Sequence, residues 1–411
     1  MVPTLTIWLD GTEAPRRVGL LRSSVRRGEL TTTFSYDESF LAWPGAFAIS
    51  PELSLRTGSW HGSGLPGALS DASPDRWGRL LIKRDAADLG LGGRMLDDVD
   101  YLMGVLDVSR QGALRLALPE GPDFLSAGSG IPPMVELTRL ADAARQVSAG
   151  EASQEAVKEL LDAGSGSLGG ARPKASVVDS GRLWLAKFPH EADEWDVLAW
   201  EAATLECARA AGIGVPASRR VRLGAAHGLL TLRFDRRDGL LDGRRVPYLS
   251  GLSLVGGKPG DLYDYADVAD RVRATCREPS RALEELFRRV CFSVAVNNTD
   301  DHLRNLGLLR GAGGWGLSPL FDVNPDPSLA TRRVTGVLGE TEAMACARAL
   351  PEFAEYVGVL GERAAAIAQQ TGRAVAGLVG QARQLGVPQS EQGRFASALA
   401  KTSGAVSEAF E

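Results

Sequence analysis

The sequence predicts an α+β protein whose β-rich segments come first and whose helices come last. Three observations carry this. Residues 1–60 run in short apolar–polar alternations ("TLTIWLDG", "RRVGLLRSS", "LTTTFSYD", "GAFAIS") cut by Gly, Asp and Pro, the signature of a small antiparallel sheet. A second β-rich stretch starts at residue 164 and encloses one long helical pattern. Beyond about residue 262 the apolar spacing is helical almost throughout.

The elements follow in order. In "LPGALSDASPDRWGRLLIKRDAADLG", Pro74 after Ser73 opens a helix that buries Trp77, Leu80 and Leu81. "DDVDYLMGVL", "PPMVELTRLADAARQVSAG" and "EASQEAVKELLDAG" read as helices, the last ending at Gly164. "GSGSLGGARPKASVVDSGRLWLAKFP" is a Gly-rich turn followed by two strands. "EWDVLAWEAATLECARAAG" is a helix with Trp195, Leu198, Ala202 and Leu205 on its apolar face and Asp193 as the expected N-cap. "RRVRLG", "HGLLTLRFDR" and "RRVPYLS" return to strand, and helices then dominate, with 340–384 and 389–409 the last of them.

Composition narrows the function. With 411 residues and 44% hydrophobic content, the chain can build two or three cores. A formal net charge of −5 excludes a protein that coats nucleic acid with its whole surface and leaves room only for a local basic patch. Cys207, Cys276, Cys291 and Cys346 form no CxxC pair, so buried free thiols are expected in place of a zinc site or disulfide framework. Asp10 interrupts the N-terminus too early for a signal-peptide core, and no run of 18 apolar residues occurs, so a cytoplasmic protein away from membranes is expected.

The chemistry concentrates in "NNTDDHLRNLGLL", residues 297–309, directly after an apolar helix. Asn305 lies five positions beyond Asp300, and Asp322 follows in "LSPLFDVNP" after two strands joined by a Gly-rich turn. Phosphoryl transfer requires this set. One carboxylate meets the attacking hydroxyl, while an amide oxygen and a second carboxylate hold Mg²⁺ against the phosphates of ATP. Kinase-like folds space Asp, Asn and Asp in this manner. Asp300 is therefore the candidate base, and Asn305 and Asp322 are the candidate metal ligands. His302, beside the base, is a candidate for orienting the loop. Arg304 would neutralise carboxylates or meet substrate, and Asp301 reads as a cap.

Upstream, "GSGSLGGARPK" does not fit GxxxxGK[ST], yet its glycines allow backbone N–H groups to approach phosphates. A Gly/Ser stretch of this kind also serves as a flexible linker. Lys187 sits mid-strand among apolar neighbours in "LWLAKFP", where a lysine needs a partner or a ligand. Glu201 on the next helix is its expected partner. The backbone from Leu232 to Phe234 is a candidate adenine-binding hinge, and Asp235 and Arg236 should close a turn there as an ion pair.

Taken in order, "GSLGGARPKASV", "LAKFP", "RFDRR", "NNTDDHLRNLGLL" and "LSPLFDVNP" resemble the phosphate loop, ATP-lysine strand, hinge, catalytic loop and metal-binding segment of the HipA family of serine/threonine kinase toxins. The N-terminal "VGLL", "FSYDESFLA" and "LPGALSDASPDRWGRLLIKR" are similar to that family's N-terminal subdomain. The resemblance covers nearly the whole chain. It implies a bilobal protein-kinase-like core, with a β-rich N-lobe and an all-helical C-lobe, preceded by a small β-rich subdomain. The corresponding boundaries are 1–115 for the subdomain, 116–163 for a helical connection, 164–262 for the N-lobe and 263–411 for the C-lobe.

The resemblance also implies that Asp300 is the catalytic base, that Asn305 and Asp322 bind Mg²⁺ and that Lys187 binds the ATP phosphates. The loop at Ser167, Leu168 and Gly169 would cover those phosphates. In the family a loop serine can be autophosphorylated, which expels the loop and switches the kinase off; Ser167 matches it, with Ser165 a competitor. Characterised relatives phosphorylate aminoacyl-tRNA synthetases and are restrained by a helix-turn-helix antitoxin (HipB-like), the pair repressing its own operon on DNA. Some members carry Gly where this chain has Asp301, a carboxylate that would cap the loop or help bind a second metal. The spacing alone leaves two other readings open: a small-molecule kinase on a related bilobal fold, and a nucleotide-binding co-repressor acting through an antitoxin.

Overall fold

The computed structural model describes residues 4–11, 13–88, 95–119, 121, 123–128, 130–167 and 170–411. They fall into two compact units. The first comprises 1–192 and 221–249, the second 193–220 and 250–411.

The first unit holds two sheets. Strands β1 (Leu5–Leu9), β2 (Arg16–Arg26), β3 (Glu29–Tyr36), β4 (Trp60–Ser63) and β5 (Leu114–Ala117) form an antiparallel sheet of order β4-β3-β2-β1-β5. Alternation sets the buried face: Thr32, Phe34 and Tyr36 of β3 point inward, with Leu5, Ile7 and Leu21 beside them. The expected strand "GAFAIS" does not form. Phe47 and Ile49 enter the core from a loop, and the Ile49 N–H donates to the Tyr36 hydroxyl at 3.1 Å. The edge of β3 is taken by Trp60–Ser63, paired with Thr31–Phe34.

The second sheet has order β6-β7-β9-β8 from β6 (Lys174–Asp179), β7 (Arg182–Lys187), β9 (Ala226–Leu232) and β8 (Ser218–Leu223), of which 221–223 belong to this unit. The β6–β7 turn places Ser180 and Gly181 at φ 51° and 73°, the backbone of a two-residue hairpin. Helices Arg76–Asp88, Leu137–Ala149 and Gln154–Asp162 cover this sheet. Trp77, Leu81, Leu140, Val147 and Leu160 form one core with Ala175, Val177 and Leu230.

The second unit is built on the helix Pro279–Ala295, which opens with proline and is buried from Leu286 to Ala295. Helices Tyr265–Thr275, Ala343–Val357, Gly361–Ala376 and Gln389–Glu408 also belong to it. It carries the hairpin expected from the sequence, Gly307–Gly311 with Gly314–Leu317, and a short parallel pairing of Tyr263–Asp264 with Thr335–Gly336. The helix Val197–Ala210 is capped by Asp196 in place of the expected Asp193: its carboxylate accepts the Ala199 N–H at 2.9 Å. Trp195 therefore precedes the helix and packs edge-on against Phe395. The four cysteines are unbridged and buried. Among the described residues, no helix is long and apolar enough to cross a membrane.

Candidate active site

The buried helix Pro279–Ala295 ends in a way that shapes the loop after it. Asn297 adopts φ 52°, its N–H donates to the Val294 carbonyl at 3.0 Å, and the Asn298 N–H donates to the Ser293 carbonyl at 2.9 Å. This is a Schellman ending with asparagine at the left-handed position. The Asn297 amide then donates to the carbonyls of Asp326 and Ser328 at 2.8 and 3.0 Å, tying the start of this loop to the segment beyond Asp322.

Adjacent aspartates meet opposite fates. The Asp301 side chain is 5% exposed and accepts hydrogen bonds from Arg333, from Tyr265 at 3.0 Å and from Ser293 at 3.1 Å. Arg333 also donates to the carbonyls of Ser293 and Asn298, so one guanidinium fastens both ends of the turn. Burial raises the Asp301 carboxyl above its ordinary range, against the opposing pull of Arg333 and of the Tyr265 hydroxyl. Asp301 is thus a buried anchor of the loop: it lines the same cleft as Asn305 and Asp322, but its carboxylate is taken up by Arg333, Tyr265 and Ser293. The Asp300 side chain is 79% exposed, with its carboxylate 4.0 Å from His302 Nε2, beyond hydrogen-bond reach.

A short 3₁₀ turn, Leu303–Asn305, carries the chain onward; Leu303 is buried beneath it, and the Asn305 N–H donates to the His302 carbonyl at 2.8 Å. The Asn305 amide nitrogen donates to the Asp300 carbonyl at 3.1 Å, so its carboxamide oxygen is the atom that a cation would meet. Asn305, His302 and Asp322 line one cleft with Asn298, Asp301 and Phe321. Asp322 stands at φ 54°, a left-handed conformation that aspartate tolerates better than most residues other than glycine. Among the described residues, His302 Nδ1 and Asn324 Oδ1 are buried without a hydrogen-bond partner in the protein. The donor set fits Mg²⁺. An amide oxygen and a carboxylate on one cleft are hard oxygen donors of the kind this ion takes from a protein, which leaves its other positions to water.

The remaining expected residues lie in other parts of the chain. Lys187 ends β7, is buried, and stands opposite Lys174 of β6 in the antiparallel register. A Cβ on Gly170 would come within 2.6 Å of the Lys174 ammonium, so the Gly-rich segment runs directly over that second lysine. Ser167 is fully buried and hydrogen-bonds to Ser109; Ser165 is buried as well. Leu168 and Gly169 lie outside the described residues. At the expected hinge, the Arg233 N–H donates to the Leu183 carbonyl at 3.0 Å, extending the sheet past Leu232, and Phe234 packs against Tyr248. Asp235 and Arg236 form the expected ion pair at 3.0 Å, and Arg233 joins it. Glu201 is buried on the helix Val197–Ala210 of the second unit.

Sequence reasoning missed Arg333 and Ser109. Neither carries a local pattern: Arg333 lies 32 residues from the carboxylate it holds, and Ser109 lies 58 from Ser167. Lys174 was visible only as the end of the Gly-rich turn.

A family model described as HipA-like C-terminal domain matches residues 166–378, more than half of the chain, and one described as HipA N-terminal domain matches residues 5–105. Among solved structures, the chain is similar to one in the Shewanella oneidensis MR-1 toxin–antitoxin complex of HipA, HipB and operator DNA. The identity is 17% and the TM-score 0.67, over 99% of this chain and 97% of that one, a likeness of fold. It also matches the Helicobacter pylori proinflammatory kinase CtkA at 12% identity and a TM-score of 0.46, over 59% of this chain and 93% of that one. No curated protein matches. With both domain models matched in order along an α+β chain, this protein belongs to the HipA family.

Proposed function

We propose that this chain is an ATP- and Mg²⁺-dependent protein serine/threonine kinase and the toxin of a type II toxin–antitoxin pair. The observation that supports it most is the shared cleft of Asn305, Asp322 and His302, at the end of a loop whose buried Asp301 leaves Asp300 exposed. In this reading Asp300 orients a substrate hydroxyl and takes its proton, and His302 steadies the loop. Mg²⁺, when bound by Asn305 and Asp322, supplies the charge that neutralises the phosphates. Lys187 neutralises phosphate oxygens with Glu201 as its expected partner, the loop at Ser167, Leu168 and Gly169 covers them, and Leu232 to Phe234 faces the adenine. Phosphorylation of Ser167 switches the enzyme off.

The substrate is a translation component of the aminoacyl-tRNA synthetase kind, by family resemblance, and the site of action is the cytoplasm. The similar Shewanella chain comes from a complex with HipB and operator DNA, and a HipB-like helix-turn-helix antitoxin is the partner proposed here, with DNA reached mainly through it. The test is Asp300→Ala. Nucleotide binding, measured by calorimetry, should persist, while phosphate transfer to protein should fall by a factor on the order of 10³. Transfer at the wild-type rate would remove Asp300 from its role. A phosphoproteome comparison of cells expressing the two forms then identifies the target.

A further inference from the structure

The Gly-rich loop is gripped by elements of the N-terminal subdomain. The Ser167 hydroxyl hydrogen-bonds to the Ser109 hydroxyl, and both side chains are buried. Gly164 turns at φ 63°, and a Cβ there would sit 2.6 Å from Ser109 Cβ, so this turn is shaped around that serine. A Cβ on Gly78 would lie 2.7 Å from Gly166 Cα, which brings the helix Arg76–Asp88 into backbone contact with the loop. The Asp75 carboxylate accepts the Gly170 N–H at 2.9 Å.

The turn that carries Ser109 is itself bolted to the segment after β9. Arg233 donates to the Ser109 carbonyl at 3.0 Å, Arg236 donates to the carbonyls of Val108 and Arg110 at 3.0 Å, and the Gly112 N–H donates to Asp235 at 2.8 Å. One turn of the N-terminal subdomain therefore touches both the loop expected over the phosphates and the segment expected beside the adenine.

We propose that Ser109 is a positioning residue: a latch that holds the Gly-rich loop with Ser167 enclosed, so that its release sets how readily Ser167 becomes available for phosphorylation. The latch rests on these contacts; its regulatory meaning rests on the kinase reading above. Phosphorylation joins Ser167 Oγ to the γ-phosphorus of ATP, breaks the bond from that phosphorus to the β–γ bridging oxygen, releases ADP and gives the hydroxyl proton to a base. A hydroxyl enclosed between Ser109 and Gly164 cannot reach that alignment. A phosphoryl group, with three oxygens and up to two negative charges, has no room there, so a modified loop cannot return to Ser109.

The test uses the full chain with Ser109→Ala, Ser167→Ala and the double variant, each also in the Asp300→Ala background. Hydrogen exchange is followed by mass spectrometry, with phosphate at Ser167 measured after incubation with Mg·ATP. Each single variant should raise exchange at residues 164–167 about fivefold, with the rest of the chain unchanged. The double variant should exchange no faster than either single one, because both remove the same bond. The rise should persist without Asp300, and Ser109→Ala with Asp300 intact should gain phosphate on Ser167 several-fold faster than wild type. Unchanged exchange at 164–167, or a rise spread evenly along the chain, overturns the latch. A local rise with no phosphate on Ser167 in any form keeps the latch and overturns its regulatory meaning.

Discussion

Asp235 in the first unit and Asp301 in the second are both buried carboxylates held by arginine, yet their surroundings pull them in opposite directions. Burial acts against the charge of each. At Asp235 it is outweighed by two guanidinium groups, Arg233 and Arg236, and by the Gly112 N–H, which hold the carboxyl well below its usual range. At Asp301 one guanidinium, Arg333, is joined by neutral hydroxyls, and burial prevails, raising the carboxyl. The number of cations decides the sign. The first arrangement is a fixed ionic joint beside the expected hinge. The second is a loop anchor that sits next to the exposed Asp300 and lies closer to accepting a proton.

The contrast can be broken hardest at Asp235. Asp235→Asn leaves Arg233 and Arg236 buried without their shared anion, and it should cost about 3–5 kcal/mol of stability by urea denaturation. Arg333→Met strips the cation from Asp301 and should cost less, about 2–3 kcal/mol, because a carboxyl already raised by burial can take up a proton and keep its hydroxyl partners. The same variant should slow phosphate transfer at least tenfold while the KM for ATP moves little, since it loosens the loop of Asp300 and leaves the strand of Lys187 untouched. An equal loss of stability from the two variants would show that the number of cations does not matter.

Acid sharpens the comparison further. Asp235, and Asp107 held by Arg245 and Arg115 against its own burial, have carboxyls lowered from the ordinary value near 4. Their contributions are complete above that value and are lost as pH falls through the folded-state values. Asp301 has the opposite sign: its contribution is complete below the unfolded value and is lost as pH rises through the raised one. Hydrogen exchange, corrected for intrinsic rates, should therefore show residues 107–112 and 233–236 losing protection on acidification below about pH 4. Residues 297–301 should lose protection in the other direction, as pH rises. Asp301→Asn should abolish the second trend and leave the first intact.

What the sequence made legible was whatever depends on near neighbours. The helix before "NNTDD", the hairpin after it and the Asp235–Arg236 pair are local patterns that the structure carries, and of the spaced trio Asp300, Asn305 and Asp322 the last two line one cleft while Asp300 is exposed beside it. Helix boundaries were less legible, because Asp193 and Asp196 are chemically identical caps, and the later one is held by distant partners, Arg220 and Glu391, with Trp195 packed on Phe395 beside it. "GAFAIS" has the composition of a strand, but the competition for the edge of β3 is won by a segment 15 residues further on. Arg333 and Ser109 were not legible at all. Their partners are set by how distant segments meet, and a buried arginine or serine looks in sequence like any other.

The smallest expected effect is also the most separable. Asn297 does two things at once: it takes the left-handed turn that ends the helix, and its amide ties the loop to the Asp326 and Ser328 carbonyls. Asn297→Gly keeps the turn without strain and loses only the amide bonds, so it should cost about 1 kcal/mol. Asn297→Ala loses the same bonds and also places a less tolerant residue at φ 52°, which should add roughly another 1 kcal/mol. The difference between the two, measured by urea denaturation, isolates the backbone contribution. Neither replacement touches Arg333 or Asp301, so phosphate transfer should stay within about twofold of wild type once the protein is folded. If Asn297→Gly instead slowed transfer as strongly as Arg333→Met, the amide bonds to the segment beyond Asp322 would be positioning the catalytic loop, and the buried Asp301 would not be its main anchor.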